Sequence, residues 1–213
     1  MENSDQSNDT NLPEDLKGGD LVRKMGFWKV VAEDFVTNYR QPFYPGFHAL
    51  FFYRVGSCVD NHTFILSKIA LKLVYKIGFL FVRNFYGIEL ERSVKIGRRL
   101  VLAHQHGIVI HAQARIGNDV VIRHSVTFGR ASLQDGFKGP TIGNRVEFSP
   151  GVVLVGDITI GDDVSIGPNC TVTTNVPAGR TLFVPPPRSF PKQVEAQTKA
   201  GNEQADLSEK ASN

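Results

Sequence analysis

The chain has 213 residues, 41% of them hydrophobic and 21% charged, with two cysteines and a net charge of +3. That length suits one domain with a smaller appendage, and the charge is too small to argue for a nucleic-acid partner. Cys58 and Cys170 alone exclude a disulfide framework and a thiolate metal site and suit a reducing cytoplasm, and with no basic start followed by an apolar run a secretory signal is not expected.

Residues 1–19 are acidic and polar without periodicity and are expected to form a disordered tail. Residues 20–86 turn helical and aromatic. Phe27, Trp28, Val31, Phe35 and Tyr39 lie at helical spacing before the breakers Pro42 and Pro45. A second helix is expected after Gly46, with Phe47, Leu50, Phe51, Val55 and Val59 on one side. The third segment, residues 63–84, is long and apolar, but Lys68, Lys72 and Lys76 recur every fourth residue and Arg83 continues the stripe. Three lysines near a bilayer centre are costly, so a membrane span is a poor reading. The pattern describes an amphipathic helix with Ile65, Ile69, Leu73, Ile77 and Leu80 on its apolar side. The plainer expectation packs that side into the small domain with the lysines in solvent. The sharper one rests it on an anionic membrane surface, as a peripheral contact.

Residues 87–190 are expected to form the second domain, and from Leu90 to Pro177 the chain counts in sixes. Apolar anchors fall at Leu90, Ile96, Leu102 and Ile108, at Ile116, Ile122 and Phe128, and at Ile142, Phe148, Leu154, Ile160, Ile166 and Val172. A period of six fits neither an amphipathic helix nor a half-buried strand. It fits a mainly β coil of short parallel strands, each hexad one side of a triangle, with the anchors stacked inside. A β-sandwich would show two-residue alternation and irregular spacing instead. Glycine, Asn and Asp between strands mark turns of tight or left-handed backbone. The eight residues from Ile108 to Ile116 predict a bulge at Ala112-Gln113, and the fourteen from Phe128 to Ile142 predict a loop leaving the coil. Residues 191–213 are polar and expected to be a flexible tail.

Hexad coils are mostly scaffold, so chemistry is sought in residues that scaffolding does not need. His104, His106 and His111 cluster, and His124 follows one coil later. Histidine suits proton transfer near neutral pH. Glu89 precedes His104 by fifteen residues, near one turn of the coil, where a carboxylate can orient the imidazole. No cysteine or Gly-flanked serine presents itself as a nucleophile, which favours direct attack of a substrate hydroxyl on a bound acyl donor.

From Glu89 through Arg188 the chain resembles the serine O-acetyltransferases among the hexapeptide-repeat acyltransferases, through HGIVI, SVTFG, the loop before PTIGNRV, GDITIGDDVSIGPN and the closing VPPPR. PGFHALFFYRVG extends the likeness into the helical part. The resemblance implies a left-handed parallel β-helix with a small N-terminal α-helical region, acetyl-CoA as donor, and a homotrimer with active sites between subunits. It places His104 at the catalytic base and Glu89 at its carboxylate partner. Gly129 and Arg130 fall beside the thioester, Pro150 and Pro168 along the pantetheine, and Arg188 near the nucleotide end of CoA. The helical portion looks short, which implies a plain trimer. The histidine spacing differs from that of the zinc-binding branch, so no metal is expected.

Two departures concern the acceptor. The acidic residue that the family carries before the catalytic histidine is Ala103 here, and its Arg-His pair in the loop is Lys138-Gly139. Losing polar partners at both ends of a zwitterion costs recognition of serine. The expectation is therefore a different hydroxyl acceptor, and a resemblance to the branch of the family associated with bacterial polysaccharide synthesis implies acetyl transfer to a hydroxyl of a sugar or polysaccharide, such as a capsule, exopolysaccharide or O-antigen, with Phe137, Lys138, Asp34 and Asn38 approaching the acceptor. The alternatives are serine acetylation in cysteine biosynthesis and a non-catalytic scaffold; the polar C-terminus lacks the isoleucine by which the family docks on its partner synthase.

Overall fold

The structure is a computed structural model that describes residues 17–131, 138–186 and 188. Four helices open it: α1 (Gly18–Met25), α2 (Phe27–Thr37), α3 (Pro45–Cys58) and α4 (Ile65–Phe81), the last running into a wider helical turn at Val82–Tyr86. Gly18 and Gly19, assigned above to a tail, are the first residues of α1, and Gly18 is buried beneath it.

The remainder is a left-handed parallel β-helix of four turns and part of a fifth. Its strands are β1 (Ile88–Leu90), β2 (Lys95–Ile96), β3 (Val101–Ala103), β4 (Ile108–Ile110), β5 (Arg115–Ile116), β6 (Val121–Arg123) and β7 (Thr127–Gly129). They continue as β8 (Thr141–Ile142), β9 (Glu147–Phe148), β10 (Val153–Val155), β11 (Thr159–Ile160), β12 (Ser165–Ile166), β13 (Thr171–Val172) and β14 (Thr181–Leu182). Successive strands pass to successive sides of a triangular prism. One side is β1-β4-β7-β10-β13, the second β2-β5-β8-β11 and the third β3-β6-β9-β12-β14. All thirteen anchors named above are buried in one continuous core. Burying an Ile or Leu side chain contributes roughly 1.5–3 kcal/mol, so the stack of anchors is the main source of the coil's stability.

The expected bulge lies elsewhere. Leu90 pairs with Ile110, and Ile110 with Phe128, so Ile110 rather than Ile108 carries the stack. The first turn advances twenty residues, Val101 lying beside Val121, and the two extra residues sit in the corner between β3 and β4. Ile108 and Ile110 both point inward and both are buried, which hides the slip from a count of apolar residues. The longer insertion is as expected: Arg115 pairs with Thr141, and the chain leaves the coil after β7.

The glycines of the second corner answer to close approach rather than to backbone sign. Gly117 and Gly143 are absent from the positive-φ residues; the left-handed residues there are Asp119 (φ 58°) and Arg145 (φ 55°), two places on. A side chain at Gly117 would run into the backbone of Gly143 in the next turn. Amides stack beside them: the Asn118 side-chain oxygen accepts from Arg98 N–H, and Asn144 from Asn118 N–H, both at 2.8 Å.

The helices clasp the first turn through buried polar contacts. Arg54 of α3 donates to both oxygens of Asp34 of α2, at 2.8 and 3.3 Å, and to the carbonyl of Gly97 at 2.8 Å. Burial pushes the Asp34 carboxyl above its usual range against the pull of Arg54; burial opposes charge on Arg54 too, but Asp34 outweighs it there. Asn38 donates to the carbonyl of Leu100 and accepts from Leu102 N–H. Glu33 binds Arg98 at 2.6 Å. Asp34 and Asn38, expected at the acceptor, are thus enclosed and fully engaged in joining α2 to the coil.

The apolar side of α4 is a second departure. Gly78 is its only buried residue, set against the ring of Phe52, and Ile65, Ile69, Leu73 and Ile77 face outward. The helix packs on α3 through its third side, leaving the apolar and lysine stripes both exposed.

Candidate active site

The extra residues in the first turn form the corner that carries His104. Its backbone is left-handed there (φ 73°), as it is at His106 (φ 72°) and Gly107 (φ 74°). Left-handed residues recur at the coil's corners, Ser125 (φ 60°) and Asn169 (φ 58°) on this same edge among them, so what sets the His104 corner apart is its contacts with the helical region. The brace is α3. The His104 N–H donates to the Tyr44 hydroxyl at 3.0 Å, from the residue before α3 begins. His48, one turn into the helix, meets the Tyr86 hydroxyl at 3.1 Å and the Pro42 carbonyl at 2.7 Å. The Tyr86 carbonyl in turn accepts from His106 N–H at 2.7 Å. The backbone at His104 is fixed while its side chain stays exposed, edge-on to His124 with ring centroids 5.7 Å apart.

The same prism edge continues below His104. Ser125 N–H donates to the His106 carbonyl, Gly151 N–H to His124 and Asn169 N–H to Pro150. Pro150 and Pro168 therefore stack on one edge with His104 and His124, Pro150 half-buried and Pro168 exposed. Arg188 is exposed beyond the last strand. Glu89 lies at the centre of β1, half-buried and in register with Val109 of the next turn. Among the described residues no hydrogen bond or ion pair joins its carboxylate to His104.

Gly129 and Arg130 occupy the other end of that same side, where β7 ends and the loop departs. A side chain at Gly129 would approach nothing closer than 3.6 Å, so its surface is open. Lys138 pairs with Asp157 at 3.2 Å at the loop's return. With Gln113, Arg115, Gly139 and Thr141 they line a polar cleft of about 280 Å³. Gly139 is pressed against the turn after β4: a Cβ there would sit 2.6 Å from His111 Nδ1 and 2.9 Å from Ala114 N. Ala103 is buried at the end of β3 and brings no polar side-chain atom. Phe137 lies outside the described residues.

The residues assigned to one site thus fall into two groups on opposite edges of one side. His104, Pro150 and Pro168 form one group, with His124 beside them; Gly129, Arg130 and Lys138 form the other, with Gly139. Asp34 and Asn38 belong to neither. Tyr44 was missed because nothing in the sequence links it to a histidine 60 residues away. Its place directly before PGFHAL, a segment the resemblance already covered, was the available signal.

Comparisons with known proteins point one way. The family described as bacterial transferase hexapeptide (six repeats) matches residues 139–174. A serine acetyltransferase of Helicobacter pylori is 39% identical over 138 residues, spanning 65% of this chain and 77% of that protein. One from Mycobacterium tuberculosis is 34% identical over 134 residues, spanning 63% of this chain and 56% of that protein. Among solved structures, soybean serine acetyltransferase complexed with serine aligns with a TM-score of 0.63 at 26% identity, over 75% of this chain and 68% of that one. Isoform 3 from Entamoeba histolytica, in complex with cysteine, aligns at the same TM-score and 24% identity, over 88% of this chain and 68% of that one, a likeness of fold.

Proposed function

This chain belongs to the hexapeptide-repeat acyltransferases of the serine acetyltransferase family, and on that premise we propose that it transfers acetyl from acetyl-CoA to the hydroxyl of serine, with His104 as general base. The expectation of a sugar acceptor gives way because the relatives reported above are serine acetyltransferases. The observation that carries the assignment to His104 is its corner: a backbone held by the helical region, presenting an exposed imidazole at the head of an edge that continues through Pro150 and Pro168.

In this reading His104 takes the hydroxyl proton as the oxygen attacks the thioester carbonyl carbon. The C–S bond breaks, and the imidazolium returns the proton to the CoA thiolate. Glu89, on the strand that pairs with β4, is the carboxylate that the resemblance sets beside His104. The exposed edge leaves room for an extended pantetheine, and Arg188 suits phosphate. A backbone amide at Gly129 or Arg130 stabilises the oxyanion. Those residues stand at the far end of the side from His104, so one chain does not complete the site. In this reading a three-fold assembly sets the Gly129 edge of one copy against the His104 edge of the next, and the protein works as a homotrimer.

A second reading, a sugar hydroxyl as acceptor, is favoured by one feature. The positions where the resemblance expects polar ligands for serine hold buried Ala103, ion-paired Lys138 and Gly139, which has no space for a side chain. Product analysis after incubation with acetyl-CoA and either serine or deacetylated polysaccharide separates the two. O-acetylserine supports the first reading; an acetylated glycan with serine left unchanged replaces it with the second.

A further inference from the structure

The outward side of α4 is an apolar surface that acyl transfer does not use. At about 100° per residue, Leu71, Tyr75 and Gly78 share the side that packs on α3, where Gly78 abuts Phe52 and Tyr75 abuts Gly56. The opposite side presents Ile65, Ile69, Leu73 and Ile77, which are 72, 56, 57 and 61% exposed. Lys68, Lys72, Lys76 and Arg83 run along one flank between these two sides. Phe64 stands exposed at the start of the helix and Phe85 beyond its end. Phe81 also lines an apolar groove of about 480 Å³ with Trp28, Val31, Phe47, Phe51 and Phe52, so the apolar surface continues onto α2 and α3.

Charge identifies what covers this face. From His62 to Gly87 the sequence contains no Asp or Glu. A second copy of the element would bring the same cations and no carboxylate to meet them. A bilayer surface with anionic headgroups offers both things the helix lacks, an apolar layer for the isoleucine side and negative charge for the flank. The lysines are placed to extend along the helix toward headgroups while their stems cover apolar surface. Among the described residues no helix is long and apolar enough to cross a membrane, so the geometry is that of a helix lying along the surface. We infer that α4, with the adjoining groove, docks the enzyme on membranes containing anionic lipid. The groove also reaches Pro42 and His48, whose contact belongs to the brace of the His104 corner, whereas the isoleucine and lysine stripes of α4 take no part in that brace; the inference does not depend on which hydroxyl is acetylated.

Flotation of the full-length protein with phosphatidylcholine vesicles, alone or mixed with phosphatidylglycerol, tests the inference. Binding is expected only with the anionic lipid. Replacing Lys68, Lys72 and Lys76 by Gln removes three surface charges and lowers the partition constant about a hundredfold. Replacing Ile69, Leu73 and Ile77 by Ser abolishes flotation while turnover with a soluble acceptor is unchanged, which shows that the variant is folded. Equal binding to neutral vesicles, or no binding to either, overturns the inference. So does concentration-dependent association, lost in the serine variant and unaccompanied by flotation, which would make this face a contact between copies.

Discussion

The backbone N–H of His104 donates to the hydroxyl of Tyr44 at 3.0 Å, so a side chain from the helical region holds the corner that presents the imidazole. The contact joins the sequence's two patterns, helical and hexad, at the point where the coil count slips. Tyr44→Phe removes the acceptor and leaves the ring. The expected result is a fall in kcat of roughly fivefold, the rate equivalent of about 1 kcal/mol. KM for acetyl-CoA and the melting temperature should be nearly unchanged. A large rise in KM with kcat preserved would show that Tyr44 serves donor binding instead.

Arg54 and Asp34 make a different kind of prediction, because both are enclosed. Removing either partner leaves an uncompensated buried charge. Asp34→Asn or Arg54→Met should each destabilise the protein by about 3–5 kcal/mol in urea denaturation, with the two changes together costing less than the sum. Strict additivity would mean that the two do not act as a pair. If Asp34→Asn instead left stability intact and raised KM for the acceptor, Asp34 would be returned to the substrate role that its burial denies.

Gly139 tests how tightly the loop's return is packed. Gly139→Ala places a methyl group 2.6 Å from His111 Nδ1 and 2.9 Å from Ala114 N, both on a turn fixed by the coil. Forcing such a contact costs about 1–3 kcal/mol, which thermal melting would detect. An unchanged melting temperature would mean that the return segment moves freely, and the shape argument for a changed acceptor site would fail with it.

Much of this was legible beforehand, for a physical reason. An inward position recurring every six residues must be apolar in each turn, so the coil, its anchors and its large loop are written in the chain. The slip at Ile108 was not, because residues two apart on a strand share a face and Ile108 and Ile110 serve equally as an anchor. The roles of Asp34 and Asn38 were illegible as well. Their partners Arg54, Leu100 and Leu102 lie 20 to 64 residues away, and no local pattern records such a meeting. For α4 the period revealed an amphipathic helix but not which side meets the protein. Tyr75 and Gly78 fill that role, residues less apolar than the isoleucines and so not marked by the apolar period. At the site, the resemblance carried His104, Pro150 and Pro168 to one edge, whereas the acceptor half rests on residues whose meaning depends on space and pairing.

The measurement that bears most directly on the account is release of CoA from acetyl-CoA in the presence of serine by the unaltered protein and by His104→Ala, with CoA binding measured alongside by calorimetry. The account predicts that the variant binds CoA with nearly unchanged affinity and turns over about 10²–10⁴-fold more slowly, as expected for loss of a general base. Turnover by His104→Ala within a few-fold of the unaltered protein would contradict it.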